Sequence, residues 1–292
     1  MPADIREQTV LDLCRKTAEK LVDLDVVPPE SEATSPPPRR TSKLLLPRGR
    51  DGKPRLSEQE ARQLLCHEVA ASDTGVRYVI ERPTRLRYRF RGGGGALKVP
   101  VVYPAGSKVG QSAMSDVSLY LHDGERLRRR VDIEFKEGNV EKAHLAKDFL
   151  KLVAEAPAGL FIHVLSEIDN GTLTAKGGTR RGVLVKYADA MSEILEPSHW
   201  QGQGRLEDQP EGFGLMFAVC VVSLQQAHRG RVMLTKVLTW SKIGEARQAR
   251  LEMRKDTLRE FFWVGYRVGK RTGFELPDSN GWNLTRLTST SG

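Results

Sequence analysis

Apolar and charged residues alternate along residues 131–138, VDIEFKEG. A β-strand of period two there places Asp132, Glu134 and Lys136 on one face and Val131, Ile133 and Phe135 on the other. A second strand pattern, residues 116–121, precedes it across Asp123-Gly124-Glu125. With those three residues as a hairpin loop, His122 faces Arg126 and Asp116 faces Asp132, on the side of Glu134. Elsewhere the spacing is helical. Val10, Leu11, Leu13, Cys14, Leu21 and Leu24 recur at helical intervals over residues 5–24. Ser57-Glu58-Gln59-Glu60 reads as a capping box, opening a helix over residues 57–71 in which Ala61, Leu64, Leu65 and Glu68 share a face. Residues 140–155 predict another helix, with Asn139 as its cap. Ala143, Ala146, Phe149, Leu150 and Val153 form its apolar face, and Lys142, His144, Lys147 and Lys151 are its polar residues. Residues 159–165 read as a central buried strand. Residues 214–224 and 232–240 predict two strands, and residues 245–262 a helix with basic residues distributed around it.

These patterns divide the chain into an N-terminal amphipathic helix (1–27), a Pro-rich linker (28–56), an α/β core (57–170) and a C-terminal β/α extension or small second domain (171–292). A length of 292 residues is enough for a sizeable core. No apolar run reaches the length of a membrane span, and the N-terminus lacks an apolar signal core, so a cytoplasmic protein without a membrane partner is expected. Cys14, Cys66 and Cys220 are an odd, scattered set, which fits neither a disulfide framework nor a zinc site. The N-terminal helix, with its apolar stripe, is expected to dock a partner protein or a second copy, or else to pack on the core.

A net charge of +9 points to a polyanionic partner. Its distribution is more informative than its size. Arg85, Arg87, Arg89 and Arg91 alternate with Leu86, Tyr88 and Phe90, so a strand there carries a row of guanidinium groups. That row either tracks nucleic-acid phosphates or protects an exposed sheet edge. Gly92–Gly95 lacks the Lys-Ser/Thr of a phosphate loop and reads as a flexible turn. Trp263 and Tyr266, followed by Arg267, Lys270 and Arg271, suit either base stacking or, for Trp263, the core.

Two carboxylates and a lysine on one strand face are costly unless they bind something, and a divalent cation with a phosphate would satisfy all three. Asp116, followed eighteen positions later by Glu134-Phe135-Lys136, resembles the D…(D/E)-x-K signature of the PD-(D/E)XK, or restriction-endonuclease-like, nuclease superfamily. The order of predicted elements is similar to that family's α-β-β-β-α-β core over the middle third to half of the chain. Ser115 stands where the signature often has proline. The resemblance implies a mixed central β-sheet flanked by helices and a metal-dependent endonuclease. In it Asp116 and Glu134 hold Mg²⁺ or Mn²⁺, with the Phe135 carbonyl as a further ligand. Lys136 then orients the attacking water or stabilises charge on the phosphate. The family often carries a metal-binding glutamate on its first helix. Glu68 takes that role or pairs with an arginine. Asp132, outside the signature, is a second ligand or holds an arginine such as Arg130. The implied substrate is nucleic acid, DNA ahead of RNA, in restriction, phage defence, transposition or repair. The alternative is a nuclease-like fold that binds nucleic acid without cutting, or serves as a scaffold.

Overall fold

In the computed structural model the alternating segments assemble into one seven-stranded sheet with helices on both faces. The structure describes residues 6–26, 44–50, 52, 55–89, 100–155, 157–166, 182–200, 213–222, 232–252, 267–269, 273–275 and 281–288. In chain order the elements are α1 (Glu7–Val22), β1 (Asp25–Val26), β2 (Leu45–Leu46), α2 (Glu58–Ala71), β3 (Arg77–Pro83), β4 (Arg87–Arg89), β5 (Val101–Tyr103), β6 (Met114–Asp123), β7 (Arg126–Glu137), α3 (Lys142–Glu155), β8 (Ala158–Leu165), α4 (Val183–Ile194), β9 (Phe213–Val221), β10 (Val232–Thr239), α5 (Trp240–Leu251), β11 (Arg267–Gly269), β12 (Gly273–Glu275) and β13 (Trp282–Arg286). The large sheet runs β13-β10-β9-β8-β7-β6-β3. Its β7–β8 and β8–β9 pairings are parallel and the other four antiparallel. The fold is therefore mixed α/β around a mostly antiparallel sheet, and β9, β10 and β13 extend that sheet.

Period two sorts the strand residues into two layers. Val131, Ile133 and Phe135 of β7, Leu160, Ile162 and Val164 of β8, and Met216, Ala218 and Cys220 of β9 pack towards α1 and α2. Phe161 of β8 and Leu215, Phe217 and Val219 of β9 pack towards α3, α4 and α5. Gly159 is required where α3 crosses β8, because a Cβ there would lie 2.7 Å from Leu152 Cβ. Cys14, Cys66 and Cys220 are free and buried in the first layer, where they serve as small apolar side chains.

The capping box at Ser57 forms: Gln59 N–H donates to Ser57 Oγ and Ser57 N–H to the Glu60 carboxylate, at 3.3 and 2.8 Å. Asn139 caps nothing. Helix α3 starts at Lys142, its first turn closed by His144 N–H on the Glu141 carbonyl, and the Asn139 side chain instead accepts from Lys186 of α4 at 2.6 Å. The predicted C-terminal helix begins earlier, at Trp240, and residues 253–262 lie outside the described set. Helix α4 was not anticipated, although Val183, Leu184, Tyr187, Ala188, Met191 and Ile194 carry a helical stripe and are all buried.

Of the two roles expected of the N-terminal helix, packing on the core is the one seen. Val10, Leu13, Cys14, Ala18, Leu21 and Val22 of α1 are buried in the same apolar cluster as Leu65, Ile133 and Met216. Its apolar stripe is turned onto α2 and β9. Among the described residues no helix is long and apolar enough to cross a membrane.

Candidate active site

The β6–β7 hairpin differs from its expected register in two places. Asp123 pairs with Arg126, so the loop is the two residues Gly124 and Glu125, with Gly124 at φ +63°. On that register alone Asp116 would lie opposite Ile133 and face the α1/α2 layer. The pairing then shifts between Tyr120↔Arg129 and Leu119↔Val131, leaving Arg130 as an extra, bulged residue. Beyond the bulge Ser118, and not Asp116, faces Asp132, and Val117 faces Ile133. Continued by one residue, this register sets Asp116 beside Glu134. One shortened loop and one bulge together restore the expected face. The Phe135 N–H donates to Asp116 Oδ2 at 2.8 Å, which ties the two strands at the motif. On the neighbouring edge strand, Glu81 falls between Ile80↔Val117 and Arg82↔Ser115, opposite Asp116. It is the one non-glycine residue with positive φ among those described (53°), and its carboxylate pairs with Arg62 at 3.2 Å.

Helix α3 lays a polar stripe over this row. Asp148, Lys151 and Glu155 stand three and four residues apart, on one side of the helix, and all three are buried. Lys151 Nζ lies 2.6 Å from Glu134 Oε2, 3.2 Å from Asp148 Oδ1 and 3.0 Å from the Met114 carbonyl. Lys136 Nζ lies 3.1 Å from Asp148 Oδ2, 2.9 Å from the Phe135 carbonyl and 3.5 Å from Glu58 Oε1. Four carboxylates (Glu58, Asp116, Glu134, Asp148) thus surround two ammonium groups, leaving two negative charges in excess when all are ionised. Burial beside the aromatic cluster of Phe149, Phe161, Tyr187 and Phe217 pushes the Glu134 carboxyl well above the ordinary carboxylate range. Lys151 opposes that rise, while Asp148 and Asp116 add to it. Burial alone would raise Asp148 too, but Lys151 and Lys136 hold it below its ordinary value. Lys151 stays charged because Glu134 and Asp148 outweigh its own burial.

Glu68 does not join this group. It pairs with Lys20 of α1, and the α2 carboxylate near the motif is Glu58, ten residues away at the helix N-terminus, roughly 15 Å along the axis. Asp132 holds an arginine, but Arg129 and not Arg130, at 2.9 Å, and it also accepts from Ser118 Oγ at 2.6 Å. Arg129 reaches on to the Glu155 carbonyl at 2.6 Å. The Glu155 carboxylate accepts the backbone N–H groups of Arg85 and Leu86 at 2.9 and 2.7 Å. Of the expected arginine strand only Arg87–Arg89 is extended, and Arg85 and Leu86 form a bend before it; through that bend the row is moored to the same helix that covers the motif. Within it Leu86 and Tyr88 are buried, Arg85 and Arg89 are exposed, and Arg87 is half-buried with Nη2 on the Gly110 carbonyl at 2.7 Å. Lys142 points to Glu193 of α4, at 2.5 Å. Arg91, Gly92–Gly95, Trp263, Tyr266, Lys270 and Arg271 lie outside the described residues.

Lys151, Asp148 and Glu58 were missed as site residues. Lys151 reads as a solvated lysine when α3 is considered alone. Asp148, Lys151 and Glu155 at i, i+3 and i+7 were the available signal, since such a stripe matches a polar strand face.

The donor set can be tested against a cation. Glu134 Oε1 is buried without a hydrogen-bond partner, a costly state that a cation would relieve. One oxygen of Asp116 and one of Glu134 are already committed to protein donors, and the Phe135 carbonyl already accepts from Lys136. Among the described residues no group of three or more His, Cys, Asp or Glu side chains is placed to hold a metal ion. Compared with family models, with curated proteins and with solved structures, the chain finds no match in any of the three.

Proposed function

We propose that the chain is a Mg²⁺- or Mn²⁺-dependent nuclease, acting on DNA ahead of RNA. The observation that carries this reading is the unpartnered, buried Glu134 oxygen beside Asp116, with the Lys136 ammonium two residues along the same strand face. The run α2-β3-β6-β7-α3-β8, interrupted by β4 and β5, which pair apart from the large sheet, supports it as well, its element order being similar to the α-β-β-β-α-β order of the restriction-endonuclease-like resemblance. Asp116 and Glu134 would hold the cation. When bound, it would supply Lewis acidity towards water and neutralise phosphate charge. Lys136, kept charged chiefly by Asp148 and Glu58, donates to the phosphate oxygen on which charge develops. Arg85 and Arg89 contact backbone phosphates on the row moored by Glu155.

The test is incubation of the purified chain with plasmid, single-stranded DNA and RNA, with Mg²⁺ and then with EDTA. Cleavage that EDTA abolishes is expected. Lys136→Ala should lower turnover by about 10²- to 10³-fold while nucleic-acid affinity stays within about twofold, because the lysine acts on the transition state. Binding without cleavage under every condition would favour a non-catalytic nucleic-acid-binding role and end the nuclease reading.

A further inference from the structure

Asp148 lies outside the motif, yet both lysines of the site converge on it. One of its oxygens, Oδ2, is 3.1 Å from Lys136 Nζ, and the other, Oδ1, is 3.2 Å from Lys151 Nζ. Lys151 in turn grips Glu134 Oε2 at 2.6 Å and the Met114 carbonyl at 3.0 Å, so all three of its N–H groups have acceptors. Apart from the polar stripe that it shares with Lys151 and Glu155, the helix around Asp148 buries apolar side chains, with Leu145, Phe149 and Leu152 fully covered. A helix that needed only stability would carry an apolar residue here, since replacing a buried ionic group by a packed hydrophobe is often neutral or better. Each oxygen faces a different ammonium, Oδ2 through an ion pair with Lys136 whose geometry falls short of a hydrogen bond, and each ammonium leads to a different part of the motif.

We propose that Asp148 is the positioning residue of the site: by holding Lys136 through one oxygen and Lys151 through the other, it fixes the motif ammonium relative to the Glu134 carboxylate. The role rests on the nuclease reading. Asp148 itself meets neither phosphate nor cation and acts through the two lysines. Asparagine has the same shape, but its amide nitrogen donates and cannot accept. Asp148→Asn can therefore keep its contact with one lysine and must lose its contact with the other, leaving that ammonium to its remaining acceptors.

The experiment uses the full chain labelled with ¹⁵N-lysine. Hydrogen-bonded, buried ammonium groups exchange slowly with water and give NMR cross-peaks, which Lys136→Arg and Lys151→Arg assign. In the wild type both signals are expected. In Asp148→Asn at least one should vanish, and kcat on DNA with Mg²⁺ should fall roughly tenfold to a hundredfold with KM unchanged. Loss of a signal with wild-type kcat overturns the proposal. So does a lower kcat with both signals intact and a lower melting temperature, which marks a purely structural residue. Should Asp148→Asn not fold, Asp148→Glu decides, because it keeps two acceptors but moves them outward by one methylene. Displaced ammonium signals and a several-fold lower kcat are then expected, and unmoved signals with unchanged kcat overturn the role. A wild-type chain that cuts no substrate overturns both readings, whereas a cutting chain whose Asp148 variants behave as wild type overturns this one alone.

Discussion

A carboxylate with 1 % of its surface exposed sits poorly in an aromatic layer, and Glu134 persists there because Lys151 meets one of its oxygens. Removing either partner of such a pair strands a buried charge. His163, on the same face of β8, solves the opposite problem by staying neutral. Its Nε2 lies 2.6 Å from the Gly138 carbonyl, which can only accept, so Nε2 carries the proton and Nδ1 accepts from the Tyr187 hydroxyl at 2.7 Å. Burial lowers its pKa from 6.5 to about 4, outweighing the Gly138 hydrogen bond. The unfolded chain binds a proton as pH falls below 6.5, but the folded chain does so only near 4. Stability from this group is thus present above that window and lost as pH falls through it, by about 1.4 kcal/mol per pH unit. In urea denaturation between about pH 7 and pH 4.5, wild type should lose about 2–3 kcal/mol more than His163→Gln, which cannot titrate. Parallel losses in the two proteins would show that His163 is not held neutral.

At the scale of elements, the β6–β7 hairpin shows how parity governs a site. The two-residue loop by itself, or the bulge at Arg130 by itself, would turn Asp116 away from Glu134; together they keep the pair on one face. The arginine row divides its labour in a way that alternation alone does not reveal. Arg87 is tied to the Gly110 carbonyl, and Gly110 is packed so closely on Tyr88 that a Cβ would lie 2.9 Å from its backbone. Arg85 and Arg89 point outward. On the nuclease reading, Arg85→Ala/Arg89→Ala should flatten the salt dependence of DNA binding by about 0.9 units of slope per lost phosphate contact, with the melting temperature unchanged. Arg87→Ala should instead lower the melting temperature. Fluorescence anisotropy across a salt series, beside a thermal melt, separates the two. An unchanged slope in the double variant would leave these arginines as protection for the strand.

For the whole molecule, α1 decides where the fold begins. A chain starting at Leu56 would uncover the part of the core that Val10, Leu13, Cys14, Leu21, Val22 and Leu24 close. Burial is worth about 1.5–3 kcal/mol for a large apolar side chain, against a net stability of roughly 5–15 kcal/mol for a whole domain. The shortened chain should therefore aggregate or fail to melt cooperatively, as size-exclusion chromatography and circular dichroism would report. A monodisperse, cooperatively melting product would show that α1 is dispensable. Whatever depends on backbone period and local capping was legible in the chain alone. That covers the strand face of Asp132, Glu134 and Lys136, the box at Ser57, the buried run of β8 and the apolar face of α3. These were legible because a period of two or 3.6 is a property of a few consecutive residues. Long-range packing settles that Lys151 and Asp148 are buried over Glu134, that Glu58 and not Glu68 reaches Lys136, that Arg129 holds Asp132, and that α1 turns its stripe inward. Each of these depends on what packs opposite, and the opposing surface comes from residues far away in the chain. The same lysine is solvated on a bare helix and becomes an internal cation once a strand of carboxylates covers it.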